Sequence, residues 1–296
     1  MHRFSFTGRN PGRIRYNTLY MIKRIYIELT NRCDLSCPFC LKHPRPLQDM
    51  TPDFFARVAE QAVQITPHLY LHVQGEPLLH PQFSEILSIC TRLNANVHLV
   101  TNGSFLYRYP DLPLHPCIRN IAVSLQSVSA RSPQSISSYL DSVIKLAHEC
   151  SALGKPYLDL RFWRSDQMTD ETTAACLNRL RSEFVLSPCS RTGTMKFADN
   201  CFVSFANDFE WPDGSGQASA EGTCLGGREQ IAILSSGTVV PCCLDAGGAV
   251  NLGNLHNSTL SKILSSPRYC SLIEGFRRHE IREPFCQTCS YRSRFQ

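Results

Sequence analysis

Six short apolar runs, at 23–29, 69–73, 97–100, 121–125, 157–162 and 201–205, recur along the chain with longer segments between them. In the segments 52–64, 83–93, 136–153 and 171–184 the apolar residues return every three or four positions, the spacing of one helix face. Pro52 follows Thr51 as a first helical residue follows its N-cap, and Gly154 stands where a helix C-terminus favours glycine. The stretch 105–117, with three prolines, reads as a short helix or loop. This alternation predicts a parallel α/β sheet with right-handed crossovers. An open doubly wound sheet and a partial barrel both satisfy the order, and periodicity does not separate them. In either, ligands gather at the carboxyl ends of the strands.

At that end of the first run stand Cys33, Cys37 and Cys40 in the spacing C-x3-C-x2-C. A structural zinc site or a closed iron–sulfur cluster takes four protein ligands. Three thiolates on a four-iron cube leave one iron open to another ligand. A zinc knuckle completed by His43 or by a distant cysteine is the alternative. The second run leads into Gln74-Gly-Glu-Pro77, where Gly75 permits close backbone approach and Glu76 brings a carboxylate towards the cysteine loop. The third ends in Thr101-Asn-Gly103 and the fourth in Ser124-Leu-Gln-Ser127. In the fifth, alternation puts Arg161 on the face opposite Leu160 and Phe162.

A second cysteine set lies downstream: Cys224, Cys242 and the pair Cys286-Gln-Thr-Cys289. Residues 230–234 and 238–240 are strand-like and flank the turn Ser235-Ser-Gly237, so they read as a hairpin. A hairpin brings its cysteines to one site, and the later C-x2-C closes a four-ligand set. A four-cysteine zinc ribbon shares these spacings. Cys243 follows Cys242, and alternation points it the other way, as a small buried hydrophobe or as a thiol facing the barrel. Cys90, Cys117, Cys150, Cys176, Cys189, Cys201 and Cys270 show no partner spacing and read as structural. The turn-rich stretch 211–222 reads as a linker or flexible loop.

The C-x3-C-x2-C loop with Phe39 before its last cysteine, followed by Gly75-Glu-Pro77 at the next strand end, resembles the radical S-adenosylmethionine (SAM) enzymes. Gln74 departs from the family's usual glycine. The resemblance implies a six-unit (β/α)6 partial TIM-type barrel over 23–208. It also implies a 4Fe–4S cluster on Cys33, Cys37 and Cys40 whose open iron binds SAM. Gly75 and Glu76 would hold the SAM amino group, Ser124 its ribose, and Arg161 its carboxylate or that of a substrate. The downstream set resembles the twitch form of the SPASM extension, implying a small C-terminal hairpin-and-helix domain over 224–296. In it Cys224, Cys242, Cys286 and Cys289 would carry one auxiliary 4Fe–4S cluster, joined to the barrel by a linker at 209–223.

Such enzymes cleave SAM to a 5′-deoxyadenosyl radical that abstracts hydrogen, with electrons from a donor such as flavodoxin or ferredoxin. The implied substrate is first a ribosomally made peptide, undergoing epimerisation, cross-linking or oxidation. Small-molecule dehydrogenation is the alternative, because the chain lacks room for a separate leader-binding domain before the barrel. A non-catalytic iron–sulfur or zinc module is the alternative of another class. Within epimerisation, Cys243 would be the hydrogen donor.

Composition sets the surroundings. Fifteen cysteines with no apolar export segment at Met1-His-Arg-Phe-Ser suit a reducing, cytoplasmic setting and metal–thiolate chemistry. No run approaches the roughly 20 apolar residues that span a bilayer. The net charge of +5 is uneven, with Arg3, Arg9, Arg13, Arg15, Lys23 and Arg24 preceding the first acid, Glu28. This basic arm over 1–22 reads as a solvated strap or as an attractor of an acidic peptide, with nucleic acid the weaker partner.

Overall fold

The computed structural model describes residues 22–164, 170–189, 193–207 and 210–295. The cations Arg3 to Arg15 of the basic arm lie outside the described residues. The chain opens with β1 (Arg24–Ile27), α1 (Pro52–Val63), β2 (His68–Tyr70), α2 (Phe83–Arg92), β3 (Asn96–Thr101), β4 (Ile118–Ser124), α3 (Pro133–Leu153), β5 (Tyr157–Arg164) and α4 (Asp170–Arg181). Then come β6 (Ser187–Pro188), β7 (Thr194–Ala198), β8 (Cys201–Asn207), β9 (Gln230–Ile233), β10 (Thr238–Val240) and β11 (Gly253–Asn254). The helices α5 (Leu260–Ile263), α6 (Pro267–Arg277) and α7 (Pro284–Gln287) complete it. The prolines of 105–117 allow only two 3-10 turns, Leu106–Arg108 and Leu112–Leu114.

All eleven strands share one sheet, in the order β11-β10-β9-β1-β2-β3-β4-β5-β8-β7-β6. The run from β1 through β5 to β8 is parallel, each strand against the next. The local signals act as expected: Thr51 accepts from the Phe54 amide to cap α1, and Gly154 closes α3 at φ 65°.

Two features extend the alternation. The hairpin β6–β7 lies antiparallel beyond β8, so the last crossover returns through an extra strand. On the other side β9 pairs in parallel with β1 over Arg24–Ile27. The β9–β10 hairpin is thus laid on the edge of the main sheet and shields β1 there.

Alternation along the strands separates two environments. Ile25, Ile27, Leu69, Val97, Leu99, Ile121, Val123, Leu158 and Leu160 are fully buried under the helices, against Phe55, Val58 and Phe83. The opposite face carries Tyr26, Tyr70, His98, Asp159, Arg161 and Ser204, and there Tyr26 forms a second, small cluster with Ala232, Leu234 and Val240 against which Tyr70 packs. Although β2, β3 and β4 lie between β1 and β5, the ring of Phe39 in the loop after β1 meets that of Trp163 on β5 at 5.2 Å. The sheet therefore curls so that this face encloses a polar, aromatic lumen.

Candidate cluster and cofactor site

The loop from Leu29 to Met50 leaves β1 at the carboxyl edge and returns to it through Met50 N donating to Leu29 O (2.8 Å). Its stem is pinned by polar contacts. Asn31 donates to Pro46 O and accepts from Gln48 N, both at 2.8 Å, and Thr30 donates to Asp49 at 2.6 Å. Cys33, Cys37 and Cys40 project from it partly exposed, with Cys40 N donating to Cys37 O at 3.1 Å. Burial pushes all three thiols up, Cys37 to about 11, and the neighbouring thiols add to the shift at Cys37 and Cys40. Sulfurs that repel one another as anions are stabilised as thiolates by a bound cation, which is the donor chemistry of an iron–sulfur cluster. His43 turns away from them. Its ring lies against the backbone of Gly247, and its nearest charges are Arg45 and Asp213, so the structure offers no support for His43 as a fourth ligand.

The ends of β2 and β3 brace this loop. Gly75, at φ +82°, presses onto its stem, where a Cβ would fall on the Thr30 carbonyl and within 2.8 Å of the Arg32 carbonyl oxygen. Gly75→Ala is expected to cost about 1–3 kcal/mol from the left-handed backbone alone, before the steric clash is added. The check is the urea midpoint of the iron-free protein, which should fall well below that of the parent.

Glu76 is 1 % exposed and its contacts are internal. Oε1 accepts from Leu78 N (3.0 Å) and Thr101 Oγ1 (2.6 Å), while Oε2 accepts from Asn102 N (2.7 Å). Burial raises its pKa to about 7 against these donors. Of about four acceptor positions on a carboxylate, three are filled, which leaves one for a ligand amine. Asn102, which sequence reasoning passed over as part of a turn, donates to Asp34 (2.9 Å) and reaches Cys33 Sγ at 3.7 Å. The path Glu76–Asn102–Asp34 thus runs from the second strand end to the first cysteine.

Ser124 and Arg161 are register partners on β4 and β5 and share the lumen face. Arg161 Nε donates to Asp159 (2.8 Å), which also accepts from Ser204 (2.6 Å). Among the described residues its two terminal nitrogens have no acceptor, so the oriented guanidinium fork can take a carboxylate. Opposite it, His72 is held neutral, its pKa lowered to about 3 by burial and then by Arg161, and its Nδ1 is buried without a partner. The alternation of Leu69 and Leu71 with Tyr70 and His72 is the signal that could have placed His72 in the lumen.

The downstream set also converges. Cys224, Cys242, Cys286 and Cys289 line one cavity with Pro212, Val250, Phe276 and Phe285. All four thiols are raised, by burial first, and the pull of a cation would again be needed to ionise them. Four thiols in an apolar pocket suit a closed cluster. Cys243 does not line that cavity and packs instead against the small cluster of Tyr26, Ala232, Leu234 and Val240. Its thiol is pushed up to about 11 by burial, with the neighbouring Tyr26 hydroxyl pulling the other way. Cys90, Cys117, Cys150, Cys176 and Cys201 are buried in the main core, and Cys270 is exposed on α6.

The comparisons agree with this geometry. A model of the radical SAM superfamily matches residues 27–159, and a model of the SPASM iron–sulfur cluster-binding domain matches residues 224–290. A PqqA peptide cyclase of Streptomyces rochei is 31% identical over 137 residues, 44% of this chain. That stretch spans 37% of the relative's own length. Among solved structures, BtrN in complex with AdoMet and 2-DOIA superposes with a TM-score of 0.56 at 15% identity, covering 91% of this chain and 93% of that one. SuiB of Streptococcus suis bound to S-adenosylmethionine gives 0.58 at 17% identity, covering 86% and 68%. No helix among the described residues is long and apolar enough to cross a membrane.

Proposed function

We propose that this chain, which belongs to the radical SAM superfamily and carries a SPASM iron–sulfur domain, modifies a ribosomally made peptide by hydrogen abstraction. Its cofactors are a SAM-binding 4Fe–4S cluster, an auxiliary cluster and SAM. We assign the first cluster to Cys33, Cys37 and Cys40 and the auxiliary one to Cys224, Cys242, Cys286 and Cys289. The observation that carries the reading is the three-cysteine loop, braced by Gly75 and Asn102 at the mouth of a polar lumen. Bound together, the first cluster and SAM supply a 5′-deoxyadenosyl radical. The chain's own residues orient it. Backbone at Gln74–Gly75 and the open acceptor position of Glu76 meet the SAM amine, Ser124 the ribose, and Arg161 a carboxylate. Tyr26, only 7% exposed, would help to exclude water on the lumen face.

In this reading the parallel strands β1–β5 and β8 are the six-unit partial barrel, residues 23–208 its extent, and 224–296 the auxiliary domain. The peptide substrate is supported by the PqqA peptide cyclase likeness and by the polar lumen. Dehydrogenation of a small alcohol or sugar-like metabolite is the second reading, favoured by the Arg161 guanidinium and the neutral His72 imidazole as polar groups for a small substrate. A reduced donor of the flavodoxin or ferredoxin class supplies the electron. Incubating the reduced, iron-loaded chain with SAM should release 5′-deoxyadenosine, and no release would end the proposal. With the peptide encoded beside the gene, loss of two hydrogens would indicate oxidation or cross-linking, and solvent deuterium at an α-carbon would indicate epimerisation.

For epimerisation, Cys243 transfers its S–H hydrogen to the substrate radical. The thiyl left behind takes an electron from the reduced donor and a proton from solvent. Cys243→Ala in deuterated solvent is expected to leave substrate unepimerised. Normal product carrying deuterium would remove the residue from the mechanism.

A further inference from the structure

The stretch that reads as a linker is fastened at its start by two consecutive residues. Trp211 Nε1 donates to the Phe39 carbonyl at 2.8 Å, and Phe39 lies between Cys37 and Cys40. The next residue, Pro212, is buried in the wall of the four-cysteine cavity. Two consecutive residues therefore touch both cysteine sites. The segment carrying Cys286 and Cys289 holds this bridge in place. Ser290 Oγ donates to Glu210 O (3.4 Å) and Ser219 N to Gln287 O (3.0 Å). Gly216 lies so close to Thr288 that a Cβ there would strike its carbonyl. On the other side, the Phe39 ring meets Trp163 edge-on at 5.2 Å.

An indole bond to the Phe39 carbonyl fixes the peptide plane between two thiols. The Cys37–Cys40 turn has one other backbone bond, Cys40 N to Cys37 O at 3.1 Å. Trp211 and Pro212 share a peptide bond, and Pro212 has its φ fixed by its ring, so a displacement at Pro212 has a short path to the indole that holds the Phe39 carbonyl.

We propose that the Trp211–Pro212 bridge couples the two cysteine sites, so that iron at the downstream set orders the Cys33–Cys40 loop and strengthens SAM binding there. The inference rests on the cluster assignments above and makes Trp211 a positioning residue. The effect is reciprocal, as any coupling between two binding equilibria must be.

The test is a double-mutant cycle on the full chain, reconstituted with iron and sulfide, with SAM as the probe in equilibrium dialysis. Loss of the downstream site in Cys286→Ala/Cys289→Ala should weaken SAM binding about tenfold, within the range typical of coupled sites. Trp211→Phe, which keeps the ring and removes the donor, should weaken it similarly while retaining all its iron. The two combined should be no weaker than either alone. Additive losses, or unchanged affinity in an iron-replete Trp211→Phe protein, would overturn the bridge. Hydrogen exchange in the iron-free protein gives a second reading. Amides of 37–42 should exchange faster in Trp211→Phe, and equal rates would count against it. An iron-loaded parent that binds no SAM would instead defeat the cofactor assignment.

Discussion

Cys33→Ala, Cys37→Ala and Cys40→Ala are each expected to abolish 5′-deoxyadenosine formation while leaving the downstream cluster in place. Three side chains leave no spare ligand, and the structure turns His43, the nearest alternative, towards Gly247. The parent should bind about eight irons per chain, and each of these variants about four, as expected for one four-iron cluster lost of two. Cys286→Ala/Cys289→Ala should also keep about four, but the retained iron should be the fraction whose reduced spectrum changes on adding SAM. The two outcomes are mirror images, so iron counting with electron paramagnetic resonance separates the sites without a substrate. Two zinc ions in place of iron would sink both assignments. Retention of full cleavage activity in Cys33→Ala would sink the first.

How much of this was open to sequence reading follows from what each residue's signal depends on. The parallel strands were legible because each buries one face, and Ile25, Leu69, Val97 and Leu158 report that locally. The meeting of Cys224, Cys242, Cys286 and Cys289 at one cavity was legible because the hairpin and the C-x2-C pair are each written locally. The fate of Glu76 was not. Sequence reading placed its carboxylate beside the cysteine loop for the SAM amine, but its three internal donors come from Leu78, Thr101 and Asn102, two of them some 25 residues away. The stretch 211–222 has the turn-rich composition of a flexible linker, yet Trp211 and Pro212 are held across 172 residues and against the last cysteines. Composition reports the chain's local freedom and says nothing of long-range partners. β7 shows the same limit: Met195 and Phe197 alternate too briefly to outweigh the helix before them, and pairing with β8 decides the strand.

Glu28→Ala should have the largest effect on stability of any single change outside the cysteines. The Glu28 side chain is fully buried, and Oε1 accepts from Arg45 Nη2 at 2.6 Å and from Gln74 N at 3.2 Å. Oε2 accepts from Ser235 N (2.9 Å) and Ser235 Oγ (2.8 Å). One carboxylate thus ties β1 to the segment after Cys40, to the end of β2 and to the β9–β10 turn. Removing it strands Arg45, whose side chain is 15% exposed, and unpairs the Ser235 amide. Breaking one half of a buried pair costs about 3–5 kcal/mol, mainly through the charge left behind. Replacing both partners by apolar residues removes that charge, so Glu28→Leu/Arg45→Leu should lose less than Glu28→Ala despite changing more atoms. Glu28→Gln should fall between, since its one amide oxygen can still accept from Ser235 while its NH2 faces the Arg45 and Gln74 donors and both of those contacts are lost. Urea unfolding of the iron-free proteins measures all three. Glu28→Ala and the double variant both lose the bonds to Gln74 and Ser235, so if the double proves the least stable, the stranded charge is not the main cost and Arg45 contributes through contacts other than its pair with Glu28.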